Sequence, residues 1–383
     1  MSAVVERKTD LIAVRRAGMD YDTPLFFHVM QYAAAADRDV IDLVSGGPDW
    51  EPPTALREGL RDYADGDPAE FQYPPSDGLR ALREEIAARR GVDIDRVVIT
   101  NGAGEANYLA MAAALERDAG DEILLTDPVY PYYPGKARML GADPRLVPVA
   151  DDGGLDVEAM ADAASTDTAA ILINSPNNPT GAVYDADTVG AMVDLAEEHD
   201  ALLVSDEVYD HYDYAGRFES ALAFDSDRAV VTNSFSKSMA VTGLRVGYAL
   251  FPPQLVEAAK TRHMLVNVTG ARPSQAAVLR ALRETGPEYY EASRDLLRER
   301  IDAFTDALDA AGAEYIHPDG AFYVFARFDG FPGTLANVER LVDEAGVACM
   351  PGDTFGSYDE WVRFALVTPR AEEAARRLAE YDF

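Results

Sequence analysis

The chain has 383 residues, 48% of them hydrophobic, and its 34 basic and 67 acidic residues give a formal net charge of −33. This length allows two or three domains with a sizeable core. The charge disfavours nucleic acid and anionic membranes as partners, because both are bound through lysine and arginine. A single cysteine, Cys349, excludes a disulfide scaffold, and five scattered histidines disfavour a histidine-built metal site. With no apolar run near ~18 residues and no secretory signal, we expect a cytoplasmic protein that does not span a membrane.

The basic residues are almost all arginine. Lysine occurs only four times, as Lys8, Lys136, Lys237 and Lys260. An acidic, lysine-poor composition resembles that of proteins from salt-loving microbes, and the dispersed acids fit a solvated surface. The composition therefore predicts a salt-rich habitat. Because lysine is scarce, each of the four lysines is worth examining.

The predicted elements begin with an arm and a helix over about 45 residues, which end at the segment IDLVSGGPDW. Short β-rich runs then alternate with helix-like windows such as residues 104–118 and 184–200. This alternation predicts an α/β fold with a mostly parallel sheet of about seven strands. The seven runs are residues 96–100, 122–126, 145–149, 169–174, 201–207, 229–233 and 245–251.

The pattern changes after Arg272-Pro273. Two helix-like stretches, 274–285 and 287–312, precede the apolar run 321–328, a further helix and the run WVRFALV. This order predicts a second, smaller α+β domain. We therefore divide the chain into an N-terminal arm that joins the small domain (1–45), a large domain (46–270) and a small C-terminal domain (271–383).

Several candidate binding residues follow the predicted strands, and ligands of open α/β sheets bind at the carboxyl ends of strands. The junction at Ala103 and Gly104 could present helix N–H groups to a phosphate, or it could be an ordinary glycine turn. Tyr130 could form a flat wall for a planar ligand, or it could pack in a loop. Asn178 lies in the turn NSPNNPTG, which has two prolines. Asp206 could be a buried carboxylate that must pair with a cation, or it could itself be the N-cap of a helix.

The segment around Lys237 carries the strongest signal. Lys237 follows a strand and lies among small and apolar residues, where burial would lower its pKa and let its amine act as a nucleophile that forms a Schiff base. Ser234, Ser236 and Arg245 nearby offer hydroxyls and a guanidinium to a phosphate. Together with the acid, the aromatic wall and the helix N-terminus, these groups match the needs of pyridoxal phosphate.

Arg363 interrupts an apolar strand, in WVRFA. A buried arginine without a partner is rare. Arg363 therefore either pairs with an internal acid or binds a substrate carboxylate.

The order of these motifs resembles the fold-type I pyridoxal-phosphate enzymes, specifically the class I/II aminotransferases. The resemblance rests on SxSKxxxxxGxRxG, which contains Lys237, and on NxPxNPTG, which contains Asn178. It extends over nearly the whole chain. It implies a homodimer that binds pyridoxal 5′-phosphate and moves an amino group between an L-amino acid and a 2-oxo acid.

The resemblance also implies a role for each matching residue. Lys237 would bond covalently to the cofactor and shuttle the proton, and Asp206 would pair with the pyridine nitrogen. Gly46, Asn178 and Arg363 would bind the substrate. The remaining cofactor contacts would be Tyr209 and Asn178 at the 3′ oxygen, Tyr130 on the ring, and Ala103, Gly104, Ser234, Ser236, Arg245 and the partner subunit's Tyr73 at the phosphate.

The sequence departs from the family at two places that concern the substrate. In the segment IDLVSGGPDW, Gly47 occupies the position where the family usually has an acidic residue, and Trp50 occupies the position of its aromatic residue. Where dicarboxylate-specific members place an extra arginine, an ungapped reading gives Val266, although Arg272 or His263 could substitute. We therefore expect aromatic or neutral aliphatic donors ahead of aspartate, selected by residues 21–31 and 263–272.

Other activities of the same scaffold stay open at this stage. A carbon–sulfur β-lyase and an enzyme similar to aminocyclopropane-carboxylate synthase share the motifs and differ only after the common carbanion. The scaffold also serves as a ligand-sensing module in transcription regulators. The short N-terminal segment, without a helix-turn-helix pattern, and the negative charge disfavour that module.

Overall fold

The computed structural model describes residues 25–117, 119–381 and 383. The N-terminal part contains α1 (Phe26–Ala35), β1 (Ile41–Asp42), α2 (Thr54–Ala64) and α3 (Arg80–Arg90). Helix α3 ends at Gly91, whose φ of +67° suits glycine because a side chain would be strained there.

A seven-stranded sheet forms the centre of the fold, and its strand order is β2-β8-β7-β6-β5-β3-β4. All neighbours are parallel except β8, which runs antiparallel to both β2 and β7. This confirms the predicted α/β fold with a mostly parallel seven-stranded sheet. The strands are β2 (Val97–Thr100), β3 (Glu122–Asp127), β4 (Asp143–Pro148), β5 (Thr168–Asn174), β6 (Leu202–Asp206), β7 (Ala229–Ser234) and β8 (Gly247–Leu250).

Helices cover both faces of this sheet, so its inner strands are buried on both sides. In β5, Ile171 and Ile173 enter one core and Leu172 enters the other, which explains why such strands are continuously apolar. Asp185 caps the start of one helix by accepting a hydrogen bond from the backbone N–H of Thr188. These helices are α4 (Ala103–Leu115), α5 (Tyr132–Met139), α6 (Val157–Ala163), α7 (Ala186–Glu198), α8 (Phe235–Ser238) and α9 (Val256–Asn267).

The C-terminal part contains a four-stranded antiparallel sheet of order β12-β13-β10-β9. Strand β1 pairs in parallel with β11, so the N-terminal segment joins this part of the molecule. The domain boundaries that we drew from the sequence stay a prediction. The elements are α10 (Arg272–Glu284), α11 (Pro287–Ala310), β9 (Glu314–Ile316), β10 (Tyr323–Arg327), α12 (Leu335–Ala345), β11 (Val347–Ala348), β12 (Met350–Pro351), β13 (Trp361–Ala365) and α13 (Ala371–Ala379).

One edge of the large sheet collects the ends of several strands. The carboxyl ends of β2, β3, β5, β6 and β7 lie at this edge because these strands run in one direction. Antiparallel β8 begins at the same edge. Within the described ranges, no helix is long and apolar enough to cross a membrane, and no cluster of three or more acidic, histidine or cysteine side chains could hold a metal ion.

Candidate active site

A cavity of about 560 Å³ lies at this edge of the large sheet, next to the four-stranded sheet. It brings together every predicted site residue except one: Gly46, Ala103, Gly104, Tyr130, Asn178, Asp206, Tyr209, Ser234, Ser236, Lys237, Arg245 and Arg363. Tyr73 lies apart from it, with 83% of its surface exposed, in a separate groove.

Lys237 lies in α8, which follows directly after β7. Its Nζ donates a hydrogen bond to the carbonyl oxygen of Gly46, at 2.6 Å. The hydroxyl of Tyr212 donates to the backbone oxygen of Lys237, at 2.9 Å, and so holds the short helix. Burial, with smaller contributions from Arg363 and Arg245, lowers the pKa of Lys237 to about 8. The amine is therefore easier to deprotonate than an ordinary lysine, as the sequence predicted.

Asp206 ends β6 and is 3% exposed. Its Oδ2 accepts hydrogen bonds from Nδ2 of Asn107 (2.6 Å) and from the hydroxyl of Tyr133 (2.7 Å), and its Oδ1 accepts one from the backbone N–H of Val208 (3.2 Å). Burial raises the pKa of Asp206, and the hydrogen bonds from Tyr133 and Asn107 oppose this rise. The carboxylate thus faces the cavity from a fixed position, and it does not serve as a helix N-cap.

The turn after β5 places Asn178 in the wall of the cavity. Its backbone N–H donates to Oδ1 of Asn174, at 2.9 Å, which holds the turn against the strand. Nearby, the hydroxyls of Tyr209 and Tyr323 are 2.8 Å apart and hydrogen-bonded. Tyr323 comes from β10, so this contact joins the two sheets at the cavity.

The N-terminus of α4 forms the other end of the cavity. Gly102 has a φ of +79°, and a Cβ at this position would overlap the guanidinium of Arg245. Arg245 is held there by hydrogen bonds to the carbonyl oxygens of Thr242 (2.8 Å) and Asn101 (3.1 Å). The free N–H groups of α4, this guanidinium and the hydroxyls of Ser234 and Ser236 make a site for a phosphate.

Arg363 lies in β13 with 1% of its surface exposed. Its guanidinium donates to the carbonyl oxygen of Val44 (2.5 Å) and to Oδ1 of Asn178 (3.3 Å), and its buried Nε has no partner within the described chain. No described carboxylate lies within 4 Å of it, so it does not pair with an internal acid. A buried cation with an unused donor is suited to a carboxylate from outside.

Gly46 lies close to Tyr323 and Lys237. A Cβ at Gly46 would lie 2.5 Å from the hydroxyl oxygen of Tyr323 and 3.5 Å from Nζ of Lys237. Any side chain here would therefore displace Tyr323 or fill the room around the amine.

The mouth of the cavity is apolar. Helix α1 contributes Phe26, Phe27 and Met30, and the ring of Phe26 lies 5.2 Å from the guanidinium carbon of Arg363 and 6.0 Å from the ring of Tyr132. These residues belong to the segment 21–31, which we predicted from the sequence to select the substrate; residues 21–24 lie outside the described residues.

Residues 263–272, the second segment predicted to select the substrate, do not line this cavity. His263 is buried, and its Nδ1 lies 2.6 Å from Oε1 of Glu105. Arg272 donates to the carbonyl oxygen of Ala69 (3.2 Å), and Val266 is 59% exposed. Within this chain, none of the three substitutes for the extra arginine of dicarboxylate-specific enzymes.

Sequence reasoning missed three residues that shape the site: Asn107, Tyr133 and Tyr323. Asn107 carried a weak signal, because it is a polar side chain within the apolar helix window 104–118. Tyr133 follows Tyr130 by three residues, which is a spacing that puts both on one side of a turn. Tyr323 carried no signal, since it lies in an apolar run and reaches the site only through the packing of β10.

A sequence profile for class I and II aminotransferases matches residues 38–380. The chain belongs to this family. This aminotransferase is 32% identical over 354 residues to a probable aspartate/prephenate aminotransferase of Thermus aquaticus. The matched region covers 89% of this chain and 90% of the relative. It is 31% identical over 360 residues to an aspartate aminotransferase of Pyrococcus horikoshii, with 90% and 91% covered.

Solved structures of other aminotransferases have the same fold. Aspartate aminotransferase from Thermus thermophilus with maleate superposes with a TM-score of 0.85 at 32% identity, and covers 94% of this chain and 96% of its own. N-succinyldiaminopimelate aminotransferase from Mycobacterium tuberculosis gives 0.87 at 30% identity, with 94% and 97% covered. The protein is therefore a pyridoxal phosphate-dependent aminotransferase, which transfers an amino group between an amino acid and a 2-oxo acid.

The residues present fit this cofactor. The cavity offers a buried amine with a lowered pKa, a buried carboxylate and a phosphate cradle at Gly102 that a Cβ would fill. Pyridoxal phosphate requires each of these groups.

If Lys237 is the amine that bonds to the cofactor, as the sequence predicts, its lowered pKa determines how capture of the cofactor depends on pH. Only the neutral amine can bond to an aldehyde, so the second-order rate constant for pyridoxal phosphate uptake should rise about tenfold per pH unit below about 8 and level off above it. Stopped-flow absorption with the cofactor-free enzyme measures this rate constant. A profile that still rises steeply up to pH 10 would mean that Lys237 titrates as an ordinary lysine.

Proposed function

We propose that the enzyme accepts aromatic or large neutral aliphatic L-amino acids as amino donors and a 2-oxo acid as acceptor. The observation that supports this is the apolar mouth of the cavity, formed by Phe26, Phe27 and Met30 beside the guanidinium of Arg363. A side chain whose α-carboxylate is bound at Arg363 would lie against these groups. Burial of apolar side-chain area contributes about 25 cal/mol per Å² to its binding.

The cofactor would be held by residues that the cavity brings together. We assign Lys237 to the covalent bond and Asp206 to the pyridine nitrogen. Tyr130 would stack on the ring. Tyr209 and Asn178 would hydrogen-bond the 3′ oxygen. The phosphate would be bound by Ala103, Gly104, Ser234, Ser236 and Arg245.

The proposed roles also account for the movement of the proton. Pyridoxal phosphate, when bound, supplies a ring that stabilises negative charge at the substrate Cα. Arg363 orients the α-carboxylate through Nε, which has no partner in the described chain, and through a second N–H of its guanidinium. The free Nζ of Lys237 then takes the proton from Cα as a general base and holds it for return. Asp206, which accepts hydrogen bonds from Asn107 and Tyr133, would hold a proton at the pyridine nitrogen.

Aspartate is the second candidate donor, because the relatives from Thermus aquaticus and Pyrococcus horikoshii are named for aspartate. A second carboxylate would need a second cation at the mouth. In the described chain Phe26, Phe27 and Met30 carry no charge, and neither Arg272 nor His263 lines the cavity of its own chain. Lys136 does line it, but its amine lies against the rings of Tyr132 and Tyr133.

A donor screen with 2-oxoglutarate distinguishes the two candidates. We expect kcat/KM for phenylalanine, tyrosine or leucine to exceed that for aspartate by at least about tenfold, which corresponds to about 1.4 kcal/mol. Phe26→Ala should reduce this ratio, and Phe71→Ala, an exposed aromatic outside the cavity, should not. A higher kcat/KM for aspartate than for every neutral donor would refute the preference.

We further propose that the enzyme works in the cytoplasm of a salt-loving cell. The net charge of −33 and the presence of only four lysines support this. Molar salt would screen the repulsion between surface carboxylates. The donor screen should therefore be run in molar KCl, and the melting temperature should fall when the salt is diluted.

We also propose a homodimer in which Tyr73 of each chain completes the phosphate site of the other. Tyr73 is 83% exposed and distant from its own cavity, and Arg245 at the phosphate site is itself exposed. The end of α9 adds an exposed apolar face, formed by Leu265, Val266 and Val268. An apolar face of this kind is suited to a partner subunit.

Mixed dimers test this arrangement. Tyr73→Ala and Lys237→Ala should each impair every site of their own homodimer. A mixed dimer of the two variants has one intact site of two. Co-expression at equal levels makes half of the dimers mixed, so about a quarter of the wild-type activity should be restored. Separately purified variants that are not exchanged serve as the control. No recovery in verified mixed dimers would place Tyr73 outside the partner's site.

A further inference from the structure

The carboxylate of Asp206 is buried without a paired cation. All three of its hydrogen-bond donors, from Asn107, Tyr133 and Val208, are neutral. Within the part of the chain that the structure describes, no lysine or arginine nitrogen lies within 4 Å of it. A buried charge that has only neutral donors costs free energy, so in the absence of cofactor a counter-charge nearby would stabilise the ionised form of Asp206.

Lys136 is positioned to supply this charge. It lies in α5, three residues after Tyr133, and lines the same cavity. Its Nζ is 5.4 Å from the ring centroid of Tyr132 and 5.9 Å from that of Tyr133, whose hydroxyl donates to Asp206. No carboxylate lies within 4 Å of this amine among the described residues. Lys136 is thus a cation at the cavity with no established partner.

The other three cations of the cavity donate hydrogen bonds to oxygen atoms of residues other than Asp206, and Lys237 is also attracted by Asp206. Lys237 donates to Gly46, Arg245 to Asn101 and Thr242, and Arg363 to Val44 and Asn178.

The charged groups on the elements around α5 also have partners of their own. On β3, Asp127 accepts a hydrogen bond from the backbone N–H of Ser357. On α4, Glu105 is bound by Asn101 and His263. Where β3 meets β4, Arg145 lies 3.6 Å from Glu122. The titratable groups that line the cavity with Lys136 include Tyr130, Tyr132 and Tyr133, and Asp206 is the acid whose attraction raises the pKa of Lys136.

We propose that Lys136 is a positioning residue that acts as the counter-ion of Asp206 in the cofactor-free enzyme and gives up its proton when the cofactor binds. The proposal rests on the assignment of Asp206 to the pyridine nitrogen. A protonated pyridine nitrogen beside Asp206 would neutralise the carboxylate, and a second cation in the same buried place would then be repelled. The ring and Lys136 thus compete for one negative charge.

The acidity of Lys136 fits this exchange. Burial lowers the pKa of Lys136 to about 8, and attraction to Asp206 opposes this decrease. At pH 7 the amine is therefore mostly charged in the cofactor-free enzyme. Loss of the attraction to Asp206 would lower its pKa further, so that binding of the cofactor releases a proton.

The test is isothermal titration calorimetry of pyridoxal phosphate into the cofactor-free enzyme at pH 7, in two buffers with different ionisation enthalpies. This measurement counts the protons released per chain. We expect the wild type to release up to about one proton more than Lys136→Met, because the release from Lys237 is common to both. Lys136→Arg, whose charge is permanent, should match Lys136→Met in proton count and bind the cofactor more weakly than the wild type.

Lys260→Met is the matched control. Lys260 lies 3.5 Å from Asp77 and 3.6 Å from Glu257, outside the cavity, and its replacement should leave the proton count unchanged. Lys136→Gln replaces Lys136→Met if the apolar side chain impairs folding. Equal proton counts in the wild type and in both neutral variants would overturn the proposal.

Asp206→Asn separates this proposal from the assignment on which it rests. If Asp206 meets the pyridine nitrogen, Asp206→Asn should weaken cofactor binding, and adding Lys136→Met to it should no longer change the proton count. Unaltered cofactor affinity in Asp206→Asn would refute the assignment. Weakened affinity together with equal proton counts in the wild type and Lys136→Met would refute only the role of Lys136.

Discussion

Replacement of Lys237 by alanine is expected to lower kcat by about 10²- to 10⁴-fold or more, because a positioned general base contributes about that factor and the covalent bond to the cofactor is lost as well. Lys237 lines the cavity, its Nζ lies 2.6 Å from the carbonyl oxygen of Gly46, and its pKa is lowered to about 8. Steady-state assays with the best donor and 2-oxoglutarate measure the loss.

The spectrum of the same variant shows whether the cofactor site survives. Lys237→Ala should lose the visible absorption that the covalent bond to the enzyme produces, while the phosphate site around Arg245 keeps its hydrogen bonds. Lys260→Ala, a lysine outside the cavity, should retain both activity and spectrum. Normal turnover by Lys237→Ala would show that another group removes the proton.

Arg363→Ala should raise KM for the amino donor by at least about a hundredfold, because two charge-assisted hydrogen bonds to a carboxylate contribute roughly 1.5–3 kcal/mol each. Among the described residues, the buried guanidinium has no carboxylate partner, and its Nε has no hydrogen-bond partner. Initial rates over a range of donor concentrations give KM and kcat separately.

The controls for Arg363 address folding and site identity. The visible spectrum with pyridoxal phosphate should remain, because Arg363 is assigned to the substrate. Arg327→Ala removes an arginine of the same sheet that pairs with Glu314 on the surface, and it should leave KM unchanged. An unchanged KM in Arg363→Ala would place the carboxylate site elsewhere in the cavity.

The strands of the large sheet could be predicted because burial on both faces makes them continuously apolar. The predicted run 169–174 became β5 (Thr168–Asn174), and the run 229–233 became β7 (Ala229–Ser234). The direction of β8 could not be predicted, since an apolar run has no sign that distinguishes parallel from antiparallel pairing.

For the site, too, residues within local motifs could be predicted, and residues that reach it only through packing could not. Lys237, Asp206 and Asn178 follow strands within recognisable motifs, so their shared position at one edge of the sheet could be predicted. Tyr323 approaches Tyr209 only because β10 of the other sheet packs there, and no local pattern encodes that contact. The scarcity of lysine in the sequence made Lys136 worth examining, but only the structure placed it beside the ring of Tyr133.

The residues that line the cavity come from two parts of the molecule, a first framework around the seven-stranded sheet and a second framework around the four-stranded sheet. Lys237 and Asp206 are mounted on the parallel sheet, whereas Arg363, Tyr323 and the helix bearing Phe26 belong to the part built around the antiparallel sheet. Under our assignments, the first framework retains the cofactor and the second selects the substrate. A chimera that received the second framework from a relative should therefore inherit that relative's donor range while its capture of pyridoxal phosphate stays that of the parent.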